Sequence, residues 1–295
     1  MHAVATAVAI ALAACDVPPP VSSIDAPAPS PAPTSNWQPT AFSVEVRGHG
    51  RPVILIPGLG CPGSVWRDTV AHLEGYETHV LTLAGFAGRS RIAAPLAATT
   101  RDELVRYVRD RHLDAPIVIG HSMGGLIAYW LAAQAPDRVG AAIVIDSGAV
   151  VGGDGRDANA ASAAQARDMW KYASDDAYVQ LVHDAFGSML AKPARLAPYL
   201  DDIAASDRGA LGDAIYELAS IDLRPELPNV RAPVLALLAD GGNQDAYRRQ
   251  AEAVHDHTVV VVPGSGHFVM LDDPSATYAA IDNFLTAHNA RQASP

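Results

Sequence analysis

One short stretch of this 295-residue chain has the residue types and spacing of a nucleophilic centre: Gly120-His121-Ser122-Met123-Gly124-Gly125. It follows the apolar, β-branched run Pro116–Ile119 and opens the helical pattern Met123–Gln134. A serine on a tight strand-to-helix turn must take unusual backbone angles. Bulky neighbours would collide there, which accounts for glycine at 120 and 124. The turn lifts the hydroxyl above the sheet edge, and the N-terminus of the following helix aims N–H groups and positive dipole at it. A hydroxyl placed in this way can attack an acyl carbon. The tetrahedral oxyanion that results needs pre-aimed donors, and the main-chain N–H of Met123 is expected to be one.

Such a serine needs a base. Eleven histidines compete. Only His267 sits in a small-residue loop, Gly264-Ser265-Gly266-His267-Phe268, just after a late strand and ahead of the final helix. That loop can deliver an imidazole over the sheet edge. His121 is expected to pack beneath the turn, and His255 and His257 to lie on the surface beside a strand. The mechanism needs no metal or cofactor, and the chain carries neither His-Glu-X-X-His nor a cysteine cluster.

The elements that must position these groups alternate. Strands are expected at Phe42–Val46, Pro52–Ile56, His79–Leu83, Pro116–Ile119, Ala141–Ile145, Val234–Leu238 and Thr258–Val262. Helices are expected at Val65–Leu73, Asp102–His112, Met123–Gln134, Gln244–Val254 and Ser275–His288. Apolar runs separated by helices predict an α/β fold, with a mostly parallel sheet covered on both faces. The rhythm breaks over about 149–228, where only helical patches such as Ala177–Phe186 and Ala210–Ala219 occur. A helical insertion between two strands reads as a cap over the site. The catalytic domain is therefore 41–295, cap included. Its net charge of -11, with no basic run longer than Arg248-Arg249, excludes a nucleic-acid surface.

Ile56-Pro57-Gly58-Leu59-Gly60, the Ser122 turn and Gly266-His267-Phe268 together resemble the α/β-hydrolase superfamily from residue 41 to about 288. Asp222-Leu223-Arg224-Pro225-Glu226-Leu227 and His267-Phe268-Val269-Met270-Leu271-Asp272-Asp273-Pro274 look like a bacterial, esterase-like group with a helical cap. The order Ser122 then His267 is the order of that superfamily. The resemblance implies that Leu59 supplies the second oxyanion N–H. It also implies an acid at a strand end. The usual loop reads Ala239-Asp240-Gly241-Gly242-Asn243, with Gly and Asn where many relatives carry the acid. Some branches, notably haloalkane dehalogenases, use the strand end that corresponds to Asp146. Asp146 is the expected acid and Asp240 the alternative, with Asp245 and Asp222 behind them. The expected activity is serine-dependent hydrolysis of a small-molecule carboxylic ester. Lactone or amide hydrolysis, perhydrolysis, or a non-catalytic ligand-binding relative are the alternatives. Dehalogenation is not expected, because Ser122 stands where those enzymes need an aspartate.

The N-terminus reads differently. Val4–Ala14 is an apolar run of signal-peptide length, ending in Leu12-Ala13-Ala14-Cys15, which resembles the bacterial lipobox. Only Met1 and His2 precede it, so the basic stretch of such signals is missing. The resemblance implies that Cys15 is lipidated and that the protein resides in the bacterial cell envelope, attached to a membrane. Residues 16–40 hold eight prolines among Ala and Ser, the composition of an extended tether. The expected outcome is membrane attachment of the expressed protein and its release in soluble form by Cys15→Ser. Mass spectrometry of the N-terminal peptide checks this, and an unmodified Cys15 refutes it.

Overall fold

The computed structural model of the protein describes residues 37–151 and 160–292. The signal-like segment, Cys15 and the tether up to residue 36 lie outside the described residues. No helix among the described residues is long and apolar enough to cross a membrane.

The chain runs β1 (Phe42–Gly48), β2 (Arg51–Ile56), α1 (Arg67–His72), β3 (Tyr76–Leu83), α2 (Leu96–Asp110), β4 (Ile117–His121), α3 (Met123–Gln134) and β5 (Ala141–Ile145). Four helices follow: α4 (Ala160–Lys171), α5 (Asp175–Gly187), α6 (Leu200–Ala204) and α7 (Arg208–Ser220). The sheet resumes with β6 (Val234–Ala239), α8 (Gln244–Ala251) and β7 (His257–Val262), then closes with α9 (Val269–Asp272) and α10 (Pro274–Gln292). The seven strands lie in the order β1-β3-β2-β4-β5-β6-β7. β1 pairs antiparallel with β3, and every other pairing is parallel.

The apolar runs read from the sequence become the inner strands. β4, β5 and β6 are buried along their whole length, as strands covered on both faces must be. β7 forms one edge and is half-exposed. α2 and α3 lie side by side, and α8 and α10 pack on β6 and β7. The boundaries expected for α3 and β5 hold. Helix α2 begins six residues earlier than its apolar spacing suggested. Its first-turn amides, Ala97 and Ala98, donate to the Glu217 carboxylate of α7 at 3.0 Å each. A cap supplied from a distant helix leaves no local mark in the sequence. Helices α4 and α6, not expected from the pattern, are further pieces of the 149–228 region, and α4 packs chiefly on α7.

His121 ends β4 and is fully enclosed. Its Nε2–H donates to the main-chain carbonyl of His267 at 2.9 Å. Burial holds the ring well below its ordinary value of 6.5, the His267 ring pushing the same way. Above that value both native and unfolded chains carry a neutral ring. Below it the unfolded chain takes up a proton that the native chain refuses, so stability is lost as pH falls from about 6.5. One such proton gives a limiting slope of about 1.4 kcal/mol per pH unit. Melting temperatures at pH 7.5 and 5 should therefore differ more for the natural protein than for His121→Gln. Equal pH dependence in both would refute the buried-neutral account.

Candidate active site

The turn between β4 and α3 has the geometry its glycines suggested. Ser122 has φ +53° and ψ −122°, a conformation L-residues rarely hold. A Cβ on Gly120 would stand 2.0 Å from the Gly124 carbonyl oxygen, and one on Gly124 would stand 2.1 Å from that of Ile56. Neither contact is possible for a side chain. The bare backbones let α3 start directly against the end of β2. The loop after β2 reaches the same place, because a Cβ on Gly58 would stand 3.2 Å from Ser122 Cβ. Leu59 follows Gly58 and lines the same cavity as Ser122, and Met123 is the first residue of α3.

His267 stands in the loop between β7 and α9. Its Nδ1–H donates to Asp146 Oδ2 at 2.6 Å. The other carboxylate oxygen, Oδ1, accepts from the Ala239 N–H at 3.0 Å. Asp146 follows β5, has φ +42° and is 8% exposed. Its own N–H donates to Leu237 of β6 at 2.8 Å. Sheet order explains the arrangement. β5 lies between the strand that ends at His121 and β6, so a side chain leaving β5 sits between the Ser122 turn and the His267 loop.

The alternative acid takes another part. Asp240 is exposed, and its Oδ2 accepts from the Gly264 N–H at 3.0 Å. It braces the loop that carries His267 and makes no contact with the imidazole. Asp222 pairs with Arg224 at 2.8 Å, and Asp245 lies in the first turn of α8. His255 and His257 are exposed. His121 packs against the rings of His267 and Phe268, with centroids 4.7 and 4.6 Å away.

Ser122, His267 and Asp146 open onto one cavity of about 510 Å³. Gly58 and Leu59 form part of its wall, and the helical region between β5 and β6 contributes Ala163, Phe186, Met189, Ile215 and Leu218. This size and apolar character suit a small organic ligand. Phe186 is held edge-on by Trp170, at 6.4 Å and 83°. Cys61 also borders the cavity, and burial pushes its thiol up to about 12. Two features of this site escaped the sequence reading: the Met189 segment against His267, and the Asp272 carboxylate behind it.

The sequence pattern described as the alpha/beta hydrolase family matches residues 53–281. A pimeloyl-[acyl-carrier protein] methyl ester esterase of Aliivibrio salmonicida is 34% identical over 109 residues, spanning 37% of this chain and 40% of that enzyme. N-formylmaleamate deformylase of Pseudomonas putida is 27% identical over 247 residues, spanning 81% of this chain and 90% of the relative. An esterase from Exiguobacterium antarcticum superposes with a TM-score of 0.74 at 17% identity, over 83% of this chain and 95% of its own, a likeness of fold alone. With the family pattern running from β2 into α10, the chain belongs to the α/β hydrolase family.

Proposed function

We propose that the protein is a serine-dependent hydrolase of small-molecule carboxylic esters, working through an acyl-enzyme. The observation that carries this reading is the 2.6 Å hydrogen bond from His267 Nδ1 to Asp146, at a cavity that Ser122 also borders. That bond commits Nδ1 as the donor and leaves Nε2 to act as base. Ser122 Oγ attacks the ester carbonyl carbon while its proton passes to His267 Nε2. Asp146 stabilises the imidazolium. The developing oxyanion is held by the N–H groups of Met123 and Leu59, at the N-terminus of α3 and in the loop after β2. The tetrahedral intermediate collapses, and the alcohol leaves with the proton from His267. Water, deprotonated by the same imidazole, then releases the acid. The helices α4 to α7 serve as the cap whose apolar side chains receive the organic part of the ester. The methyl ester esterase among the similar proteins supports an ester as substrate.

Ser122→Ala is expected to lower p-nitrophenyl acetate turnover by about 10³-fold or more with the fold intact. A fluorophosphonate probe is expected to label Ser122 alone. Activity kept by the alanine variant, or label elsewhere, ends the serine mechanism. Ligand binding without any turnover would make the chain a binding relative. Asp146→Asn is expected to lower kcat by roughly 10²–10⁴-fold with little change in KM, as loss of the correct tautomer does. Asp240→Asn, which only loosens a loop, is expected to cost less than about tenfold. The reverse ranking would move the acid to Asp240.

A further inference from the structure

The Asp272 carboxylate has no part in the proposed chemistry, yet it is only 1% exposed and accepts three main-chain N–H groups. Oδ2 accepts from Gly266 at 2.7 Å and Ala191 at 2.9 Å, and Oδ1 from Lys192 at 2.8 Å. Lys192 Nζ adds a bond to the Asp272 carbonyl oxygen at 2.8 Å. The three amides come from two separate places. Gly266 immediately precedes His267. Ala191 and Lys192 follow Met189, a cavity residue of the helical region between β5 and β6. The two segments also touch directly. The His267 N–H donates to the Met189 carbonyl at 2.7 Å. A Cβ on Gly266 would stand 2.5 Å from that same oxygen. Only glycine permits the approach.

We propose that Asp272 is a positioning residue: by binding the Gly266 loop and the 189–192 segment together, it sets the position of the His267 imidazole. This rests on the reading of His267 as the base. A ring fixed only at Nδ1 can still swing about that bond, so its backbone must be fixed as well. The His267 carbonyl is fixed by His121 Nε2–H, and its N–H by Met189. Met189 lies in the turn after α5 and is tied to that helix by its N–H on the Phe186 carbonyl at 3.1 Å, while the chain beyond it is irregular. The three bonds to Asp272 supply its anchorage. Charge-assisted bonds to backbone N–H groups are the stronger kind, and removing the acceptor leaves buried donors without partners. A displacement of the base by about 1 Å is enough to cost on the order of 10²-fold in rate.

Asp272→Asn keeps the side-chain shape but turns an N–H₂ toward an amide donor. In that variant kcat for p-nitrophenyl acetate, per folded molecule counted by near-ultraviolet circular dichroism, should fall about 10²-fold with KM little changed. The low-field proton resonance of His267 Nδ1–H, assigned by its loss in Asp146→Asn, should broaden or move. Ala191→Pro, which removes one donor and leaves the carboxylate, should shift the same resonance and lower kcat about tenfold. It keeps the test open should the first variant fail to fold. Unchanged kcat and resonance in folded Asp272→Asn or Ala191→Pro would overturn the proposal. So would a lower melting temperature with normal kcat, which marks a mere brace. If the natural protein hydrolyses no ester and Ser122 takes no label, the ester reading fails separately, and the resonance still decides whether Asp272 positions the imidazole.

Discussion

A Cβ at position 124 would stand 2.1 Å from the carbonyl oxygen of Ile56, and this forbidden contact governs the geometry around it. Because nothing projects from Gly124 or Gly120, helix α3 begins against the end of β2. Ser122 is therefore held at φ +53°, with its neighbours in place before any ligand arrives. The strain is tolerated because the turn is fixed on both sides. The Ser122 N–H donates to Ile145 of β5 at 3.0 Å, and its carbonyl accepts from Gly125 and Leu126 of α3. The same close approach brings the loop carrying Leu59 beside the N-terminus of α3, so both proposed oxyanion donors come from one packing constraint.

His267, the proposed base, is held by several elements at once. Its ring is bound from β5 through Asp146, its carbonyl from β4 through His121, and its N–H from the helical region through Met189. His121 can serve because it is buried and neutral, with Nε2–H aimed at a carbonyl and its ring against Phe268. A charged imidazole there would oppose the imidazolium that the proposed mechanism forms on His267. Burial of His121 thus costs stability in acid and removes a like charge from beside the proposed base.

Parts of this arrangement were readable from residue order, and the division has a physical cause. The Ser122 turn and the His267 loop are local: their glycines sit within three residues of the group they serve. The inner strands were legible because burial on both faces writes a continuous apolar run. The choice between Asp146 and Asp240 was harder. Each follows a strand, and both reach the His267 loop. What separates them is φ +42° at Asp146, which turns its carboxylate toward the imidazole, while Asp240 meets the Gly264 backbone. No pattern of residue types encodes that rotation. The early start of α2 and the Asp272 cluster were illegible for a related reason. Apart from the local Gly266 bond, their bonds join amides to carboxylates 119 to 120 and 80 to 81 residues away, and one of each pair is a backbone group that any residue could supply.

Ser122 and Cys61 both border the cavity, and their surroundings distinguish them as nucleophiles. A thiolate is intrinsically the better nucleophile, so Cys61 would be favoured if reactivity followed side-chain chemistry alone. Yet Cys61 is 1% exposed, and desolvation lifts its thiol to about 12, so the thiolate is absent near neutrality. That shift comes from desolvation by burial. Ser122 needs no prior ionisation. It stands at the start of a twelve-residue helix, whose dipole favours negative charge at that end. On the proposed reading, its proton leaves for His267 only as the bond to carbon forms. On the same reading, burial silences the softer nucleophile, and the helix and imidazole activate the weaker one.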